Sequence, residues 1–282
     1  MKAASTPRLW AVVIATAALL VLAVPASAIT YGQPDGNGHP FVGSIVLDIP
    51  AGNPIVPAGG LFQWCSGTLI AGDVFLTASH CTADLDAILE LIPGTEVLVT
   101  FDPTIEEGGT FFTGEWHTNP NFGFSGPGGV SDPGDVAVIV LDESPGITPA
   151  KLPTAGLLDQ LKASGALKHT RFTAVGYGTV RDSKTTGPHG ILDNLDRNRV
   201  EQGFQSLTKA WLTLPMTQPT GNGGTCFGDS GGPHFIHLNG VETDIVASIT
   251  VTGDAVCVAT DKTYRMDTAS ARSFLKDFVS LP

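Results

Sequence analysis

Residues 228–233 read Gly-Asp-Ser-Gly-Gly-Pro and form the most chemically informative pattern in the chain. A serine hydroxyl is a poor nucleophile unless a base removes its proton. The glycines around Ser230 suit a tight loop whose backbone N–H groups converge on one point and stabilise the oxyanion of an acyl transfer. The plainer alternative is an ordinary glycine-rich turn, so a nucleophilic serine requires a base and an acid elsewhere.

Residues 77–81, Thr-Ala-Ser-His-Cys, supply a candidate base. His80 ends an apolar run and lies beside a cysteine, and a half-cystine there would hold the imidazole rigidly. Asp135 directly precedes the apolar run 136–141 and is well placed to accept a hydrogen bond from a histidine. A lone histidine is usually structural and an acid before a strand is often a turn residue, so these roles depend on the three residues acting together.

Other acids and histidines fit these roles less well. Asp132 and Asp142 lie near Asp135, but neither opens the apolar run. His234 and His237 are three positions apart in a predicted strand and therefore face opposite sides, which argues against a metal pair. His117 precedes Thr-Asn-Pro and is typical of a structural loop histidine.

The serine segment also fits the G-x-S-x-G elbow of α/β-hydrolases. That elbow needs a helix directly after the serine, whereas Gly-Gly-Pro and the strand-like run 234–238 follow here. It also expects its acid and its histidine after the serine, and the best candidates precede it. The pattern therefore disfavours this alternative.

Short apolar runs between frequent glycines and prolines predict an all-β fold, built as barrels or a sandwich. We expect strands at 41–48, 68–78, 96–101, 136–141, 171–177, 200–207, 211–214, 234–238 and 245–251. Helices are expected only at 157–167 and at 268–281, the second with Asp267 or Thr268 as N-cap. The stretch 146–169 is interpreted as a linker between strand-rich halves at 29–145 and 170–266.

Residues 1–28 have the features of a secretory signal peptide. Lys2 and Arg8 precede an apolar run, and Ala-Ser-Ala at 26–28 offers a cleavage site. The run of about 15 residues is short of the ~20 that span a bilayer, which argues against a membrane anchor. The net charge of −12 argues against nucleic acid and anionic membranes as partners. We therefore expect a secreted, extracellular protein.

The sequence contains four cysteines, at positions 65, 81, 226 and 257. An even number in an exported chain predicts two disulfides, although four cysteines allow three pairings and spacing alone does not choose among them. No C-x-x-C pair occurs, which argues against a zinc site. The sequence predicts neither a metal nor a cofactor.

Together and in this order, these segments resemble the secreted, bacterial-type members of the trypsin-like serine protease family, over nearly all of the chain after residue 28. Residues 77–81 resemble the family's histidine motif with Ser79 where alanine is usual, 135–137 resemble its acid motif, and 228–233 match its serine motif. Three further segments carry the resemblance: 116–120, 176–178 and 264–265.

The resemblance implies two six-stranded antiparallel β-barrels with the active site between them and a C-terminal helix at 267–282. It implies that Ser230 is the nucleophile, His80 the general base and Asp135 the acid that orients it, with the N–H groups of Gly228 and Ser230 as the oxyanion hole. It selects two disulfide pairs, Cys65–Cys81 and Cys226–Cys257.

Activation in this family depends on a new N-terminal Ile or Val whose amine pairs with the acid before the catalytic serine. Here that pair would be Ile29 and Asp229. We expect signal peptidase itself to expose Ile29, although Tyr31 departs from the usual glycine. The alternative is that Ile29 is only an ordinary first residue.

The family's primary pocket has its floor six positions before the serine, at the uncharged Gly224, which argues against cleavage after basic residues. Thr252 and Lys262 are the expected walls. An ammonium in the pocket would favour acidic side chains; otherwise the preference is apolar, which we favour. Protein or peptide substrates, protein inhibitors and a monomeric state are expected. The alternatives are a catalytically silent homologue acting as a binding protein, and an esterase.

Overall fold

The computed structural model describes residues 29–123, 131–181, 191–192 and 194–282, so the expected signal peptide lies outside the described residues. The strands are β1 Gln33–Pro34, β2 Val42–Ile49, β3 Gly60–Leu69, β4 Val74–Thr77, β5 Glu96–Thr100, β6 Gly114–Thr118, β7 Ala137–Leu141, β8 Phe172–Gly176, β9 Val180–Arg181, β10 Ile191–Leu192, β11 Asn198–Gln202, β12 Ser206–Leu207, β13 Trp211–Pro215, β14 Pro233–Leu238, β15 Val241–Gly253 and β16 Thr260–Arg265. The helices are α1 Ser79–Thr82, α2 Leu85–Leu91, α3 Leu157–Ala163 and α4 Ala269–Leu275, with 3₁₀ turns at Ala166–His169 and Gln218–Thr220.

The first half of the chain forms a six-stranded antiparallel sheet in the order β5-β2-β3-β4-β7-β6. Val99 in β5 exchanges two backbone hydrogen bonds of 2.8 Å with Phe112, which lies just before β6. This bridge joins the two edges of the sheet, so the six strands close on themselves around buried side chains such as Ile45, Phe75 and Ile139. Closure leaves few unpaired edge groups.

The second half forms a sheet in the order β1-β11-β8-β14-β15-β16-β13-β12. Apart from β1, strands β11 and β12 lie at opposite ends of this order, yet only residues 203–205 separate them in the chain. They correspond to the single strand predicted at 200–207, which bends and pairs with both ends of the sheet. Counted in this way the second barrel has six strands, to which the N-terminal strand β1 is added.

The predicted all-β fold with two barrels and a terminal helix is confirmed, and the differences lie in individual elements. The predicted strand 68–78 is interrupted at residues 70–73, where the chain turns from β3 into β4. Most of β3, and all of β6 and β16, were not predicted as strands. Both predicted helices form but are shorter than predicted: helix 268–281 is confined to Ala269–Leu275, and helix 157–167 to Leu157–Ala163, whose Leu158 is fully buried against the second barrel.

Arg197 is a fully buried cation at the junction of the two barrels. Its guanidinium donates to the Asp35 carboxylate at 3.1 Å and to the carbonyl oxygens of Val42 and Phe101, both at 2.9 Å. A buried charge is tolerated only when it is paired and hydrogen-bonded. Because Arg197 directly precedes β11 of the second barrel, its contacts with Val42 and Phe101 fasten that strand to the first barrel.

Within the described residues, the structure contains no helix of the length and apolar character needed to cross a membrane.

Candidate active site

His80 and Asp135 meet between the end of β4 and the start of β7. The Nδ1 atom of His80 lies 2.8 Å from Asp135 Oδ2, and the backbone N–H of His80 donates to Asp135 Oδ1 at 3.0 Å. Asp135 is buried and the imidazole is partly exposed. A carboxylate that accepts from Nδ1–H leaves the lone pair on Nε2, so Nε2 is the nitrogen able to act as a base.

Ser79, the residue that departs from the family's usual alanine, helps to position this acid. Its hydroxyl donates to the carbonyl oxygen of Val136 at 2.8 Å and accepts from the backbone N–H of Asn119 at 3.2 Å. The Asn119 side chain in turn donates to the carbonyl oxygen of Gly134 at 2.9 Å. The residues on both sides of Asp135 are therefore held by hydrogen bonds from two other segments.

Ser230 lies on the loop before β14, and its backbone contacts the segment next to His80. The N–H of Ser66 donates to the Ser230 carbonyl oxygen at 2.9 Å, and that oxygen lies 3.8 Å from the sulfur of Cys81, the residue after His80. The Cys65–Cys81 disulfide fixes the same corner. No hydrogen bond joins the Ser230 hydroxyl to His80 among the described residues; such contacts often form only when substrate binds.

The backbone around Gly228 is fixed from both sides. The N–H of Thr179 donates to the Phe227 carbonyl oxygen at 2.7 Å, which orients the peptide that carries the Gly228 N–H. The Gly228 carbonyl oxygen accepts from Gln63 Nε2 at 2.9 Å and from Ser66 Oγ at 3.0 Å. Gly228 has a φ of +90°, a conformation that favours glycine. In the described hydrogen-bond network, the N–H groups of Gly228 and Ser230 donate to no protein acceptor.

Gln63 and Ser66 were missed by sequence reasoning. They lie 165 and 162 positions from Gly228, and no local pattern in the chain indicates that they contact it.

Asp229 is fully buried beside the predicted nucleophile. Its carboxylate accepts from the N–H groups of Gly178 and Cys226, both at 2.8 Å. Burial raises the pKa of Asp229 to about 7, against the opposing effect of these two hydrogen bonds. A Cβ at position 176 or 178 would lie within 2.6 Å of the Asp229 carboxylate, which explains why glycine occupies both positions of the Gly-Tyr-Gly segment.

Ile29 is fully buried and Thr30 forms a two-residue antiparallel bridge with Gly224, with hydrogen bonds of 2.9 and 3.0 Å. A Cβ at position 224 would lie 2.3 Å from Met216 Cγ. Met216 clusters with the Cys226–Cys257 disulfide. The expected floor position is therefore lined by an apolar side chain, and a Cβ there would clash with Met216.

The two expected wall residues are neighbours in the β15–β16 pairing. Thr252 is exposed and lies opposite Lys262. The Lys262 ammonium lies 4.5 Å from the centre of the Trp211 ring, a cation–π contact. That contact gives the lysine a partner other than a substrate carboxylate.

A buried polar cluster behind this region was also not foreseen. Asp261 Oδ2 accepts from Gln202 Nε2 at 3.0 Å and lies 3.1 Å from His234 Nε2, and all three side chains are fully buried. The Thr225 N–H reaches the same oxygen at 3.4 Å. His234 is therefore a structural residue that contacts a buried acid in the core of the second barrel.

The remaining rival residues are engaged elsewhere. Asp132 accepts from the Tyr264 hydroxyl at 2.7 Å, Asp142 from the Thr113 hydroxyl at 2.5 Å, and the His117 ring lies 5.1 Å from that of Phe278. Within the described part of the chain, the only group of three potential metal ligands is Cys65, His80 and Cys81. Its two sulfurs form a disulfide, so no thiolate is available to bind a metal.

A family model described as Trypsin matches residues 36–272, nearly the whole described chain. The chain belongs to the trypsin family. A solved structure titled HL collagenase aligns with 88% of this chain and 98% of its own, at 17% identity and a TM-score of 0.59, which shows a shared chymotrypsin-like fold. No curated protein matches the chain by sequence. Membership of the trypsin family supports a serine endopeptidase activity on proteins or peptides.

Proposed function

We propose that this trypsin-family protein is a secreted serine endopeptidase that uses Ser230, His80 and Asp135 as its catalytic triad. The observation that carries the proposal is the pair of hydrogen bonds from His80 to Asp135, at 2.8 and 3.0 Å. They hold the imidazole in the tautomer and orientation that a general base needs. The contact between Cys81 and the Ser230 carbonyl supports a nucleophile on the adjoining loop.

In the proposed reaction, Ser230 Oγ attacks the carbonyl carbon of the scissile bond while His80 Nε2 takes the hydroxyl proton. The N–H groups of Gly228 and Ser230 stabilise the oxyanion, a contribution of about 10²–10³ in turnover per donor. His80 returns the proton to the leaving amine, which departs and leaves an acyl-enzyme. Water, deprotonated by His80, then releases the acid and restores Ser230.

Activation is proposed to follow cleavage before Ile29. The fully buried carboxylate of Asp229 has its pKa raised to about 7 by burial and has no cation among its described hydrogen-bond donors. A free Ile29 ammonium would supply one, and the bridge between Thr30 and Gly224 already ties this segment to the floor of the pocket. The two disulfides agree with an extracellular location.

The primary specificity is proposed to be apolar. Gly224 carries no charge, and Met216 with the Cys226–Cys257 disulfide forms an apolar cluster there. The cation–π contact of Lys262 with Trp211 argues against a preference for acidic side chains. A library of peptides that differ only in the residue before the scissile bond tests this, and cleavage after Leu or Phe should exceed cleavage after Arg or Glu.

A fluorophosphonate probe tests the triad directly. We expect labelling of the wild-type protein, loss of labelling in Ser230→Ala and in His80→Ala, and full labelling in the control His117→Ala. Unlabelled but folded wild-type protein would favour the alternative of a silent binding protein. Labelled protein that cleaves esters but no peptide or protein substrate would favour an esterase.

A further inference from the structure

A polar cavity of about 410 Å³ lies between the N-terminal segment, residues 29–33, and the second barrel. Three parts of the chain line it: residues 31–33, the paired strands β8 and β11 with the residue before β8, and the loop 218–223 that leads to Gly224. Two arginines, Arg171 and Arg199, are among the lining residues. Both therefore meet at one cavity of a protein whose net charge is −12.

The protein itself neutralises only one of these two cations. The Nε atom of Arg171 donates to Glu201 at 2.9 Å, and its Nη2 donates to the carbonyl oxygen of Gly221 at 3.1 Å. The half-buried Arg199 side chain has no hydrogen bond or ion pair among the described residues. Since Glu201 is the acid among the described lining residues, the cavity carries an excess of one positive charge.

Tyr31 is a second, independent sign of a ligand in this cavity. Its φ of +62° places a residue other than glycine in the left-handed region, and such strain is often retained at functional sites. Its hydroxyl oxygen is buried and has no hydrogen-bond partner, although buried polar groups are nearly always paired. The wall of the cavity therefore holds a hydroxyl whose missing partner an oxyanion would supply.

We propose that this cavity binds a tetrahedral oxyanion, a phosphate or sulfate group. One guanidinium satisfies the two oxygens of a carboxylate through parallel N–H donors, whereas guanidinium groups from two strands match the larger set of oxygens on a phosphate or sulfate. The cavity volume lies within the range of small-molecule sites. A phosphate ester of a small molecule therefore fits as well as the free ion does.

The bound oxyanion holds the N-terminal segment against the second barrel. A Cβ at Gly223 would lie 2.2 Å from the carbonyl oxygen of Thr30, so the loop 218–223 packs directly on this segment. Thr30 also pairs with Gly224, the expected floor of the primary pocket. A ligand that joins Arg199, the loop and the segment stabilises this arrangement by mass action. Its benefit to catalysis rests on the protease function proposed above, whereas its binding does not.

Thermal unfolding of a Ser230→Ala chain that begins at Ile29 tests the binding without any catalysis. At constant ionic strength, replacing chloride by phosphate or sulfate should raise Tm by about 2–4 °C and then level off, whereas acetate should have little effect. General exclusion of these salts from the protein surface also raises Tm, but it does not saturate. Tighter binding of glucose 6-phosphate than of inorganic phosphate would identify an organic ester as the ligand, and equal binding would identify the free ion.

Three variants place the effect on the cavity. Arg199→Gln should abolish the saturable rise, and Arg199→Lys should keep only part of it, because an ammonium lacks the paired donors of a guanidinium. Lys209→Gln removes the same charge from an exposed side chain outside the cavity, and it should respond as the parent protein does.

The outcomes separate this site from the protease function. A Tm that shows no saturable rise, or a rise that persists unchanged in Arg199→Gln, would overturn the oxyanion site. Peptide hydrolysis by the protein that retains Ser230 is measured separately, so such a result would leave the protease function standing. Saturable binding by a protein that hydrolyses no peptide would support the site and overturn the protease function alone.

Discussion

The hydroxyl of Ser66 joins two segments that lie more than a hundred positions away. It accepts from the N–H of Tyr177 at 3.0 Å and donates to the carbonyl oxygen of Gly228 at 3.0 Å. Because the oxyanion forms only during the reaction, a residue that orients its donors should affect turnover more than substrate binding. Ser66 is therefore a positioning residue in the proposed mechanism.

We expect Ser66→Ala to lower kcat roughly tenfold with KM nearly unchanged, a smaller loss than removal of an oxyanion donor itself. Steady-state kinetics on a peptide amide substrate measures this. Ser66→Thr should restore much of the rate because it keeps the hydroxyl, and Ser206→Ala on β12 serves as the control. A change confined to KM would contradict the positioning role.

The buried Asp229 carboxyl should affect the pH dependence of stability differently in a chain that extends before Ile29 and in one that begins at Ile29. Its pKa is raised from 3.8 to about 7, chiefly by burial. In a chain still extended before Ile29, the unfolded state therefore releases this proton first, and the free energy of unfolding should fall as pH rises from about 4 to 7. A free Ile29 ammonium would favour the ionised carboxylate and remove this fall.

Asp229→Asn tests the sign of this effect. It should flatten the pH dependence of unfolding in the extended chain, yet destabilise the chain that begins at Ile29 and reduce its activity, because the ammonium is left without its partner. Urea unfolding of both forms in a Ser230→Ala background avoids self-digestion. The same response in both forms would mean that Ile29 and Asp229 do not pair.

Helix α4 begins at a cap residue that the sequence predicts. The Thr268 hydroxyl accepts from the backbone N–H of Ala271 at 3.2 Å, the N-cap contact expected for this residue type. We expect Thr268→Ala to cost about 1 kcal/mol in the free energy of unfolding, with Thr268→Ser close to wild type. Equal stability of the three proteins in urea would show that the cap contributes nothing.

Strands were predicted where local pattern and burial agree, and were missed where they do not. Strand β7 is buried at nearly every position and was predicted almost to its ends. Strand β6 and the first half of β3 carry polar or half-exposed residues, so their pairing depends on partners distant in the chain. Strand β15 was predicted only in its buried stretch, since its first half is exposed and interrupted by a bulge.

The triad candidates can be identified from short sequence motifs, whereas the residues that hold them in place cannot. His80, Asp135 and Ser230 each stand in a short motif whose residue types indicate their chemistry. Gln63, Ser66 and the buried Asp261 have no such motif, because their roles arise from hydrogen bonds across the barrels. What the sequence indicates locally is the reacting group, whereas the geometry that orients it is a property of the fold.

The segment before β2 is fastened to the second barrel by a buried histidine. His39 Nδ1 lies 2.6 Å from Asp35 Oδ1 and its Nε2 lies 3.0 Å from Glu242 Oε1. The ring stacks on Phe235 with centroids 5.1 Å apart. Arg197 contacts the other oxygen of Asp35, and Glu242 also accepts from Thr173 and lies 3.5 Å from His237.

We expect the protein to lose the stabilisation provided by this cluster at high pH. Burial alone would lower the pKa of His39, but the hydrogen bonds to Asp35 and Glu242 outweigh it and raise the pKa from 6.5 to about 9. The stabilisation is complete below pH 6.5, where both states are protonated, and is lost as pH rises through about 9. Thermal unfolding measured between pH 6 and 10 should show Tm falling between pH 6.5 and about 9.

His39→Gln distinguishes this cluster from general alkaline unfolding. The variant should be less stable than wild type at pH 6, because Asp35 and Glu242 lose the cation between them, and the two proteins should converge towards pH 10. His117→Gln should follow the wild-type curve throughout, since that ring packs on Phe278 and has no carboxylate partner among its described contacts. Parallel curves for wild type and His39→Gln would show that the imidazolium does not stabilise the joined barrels.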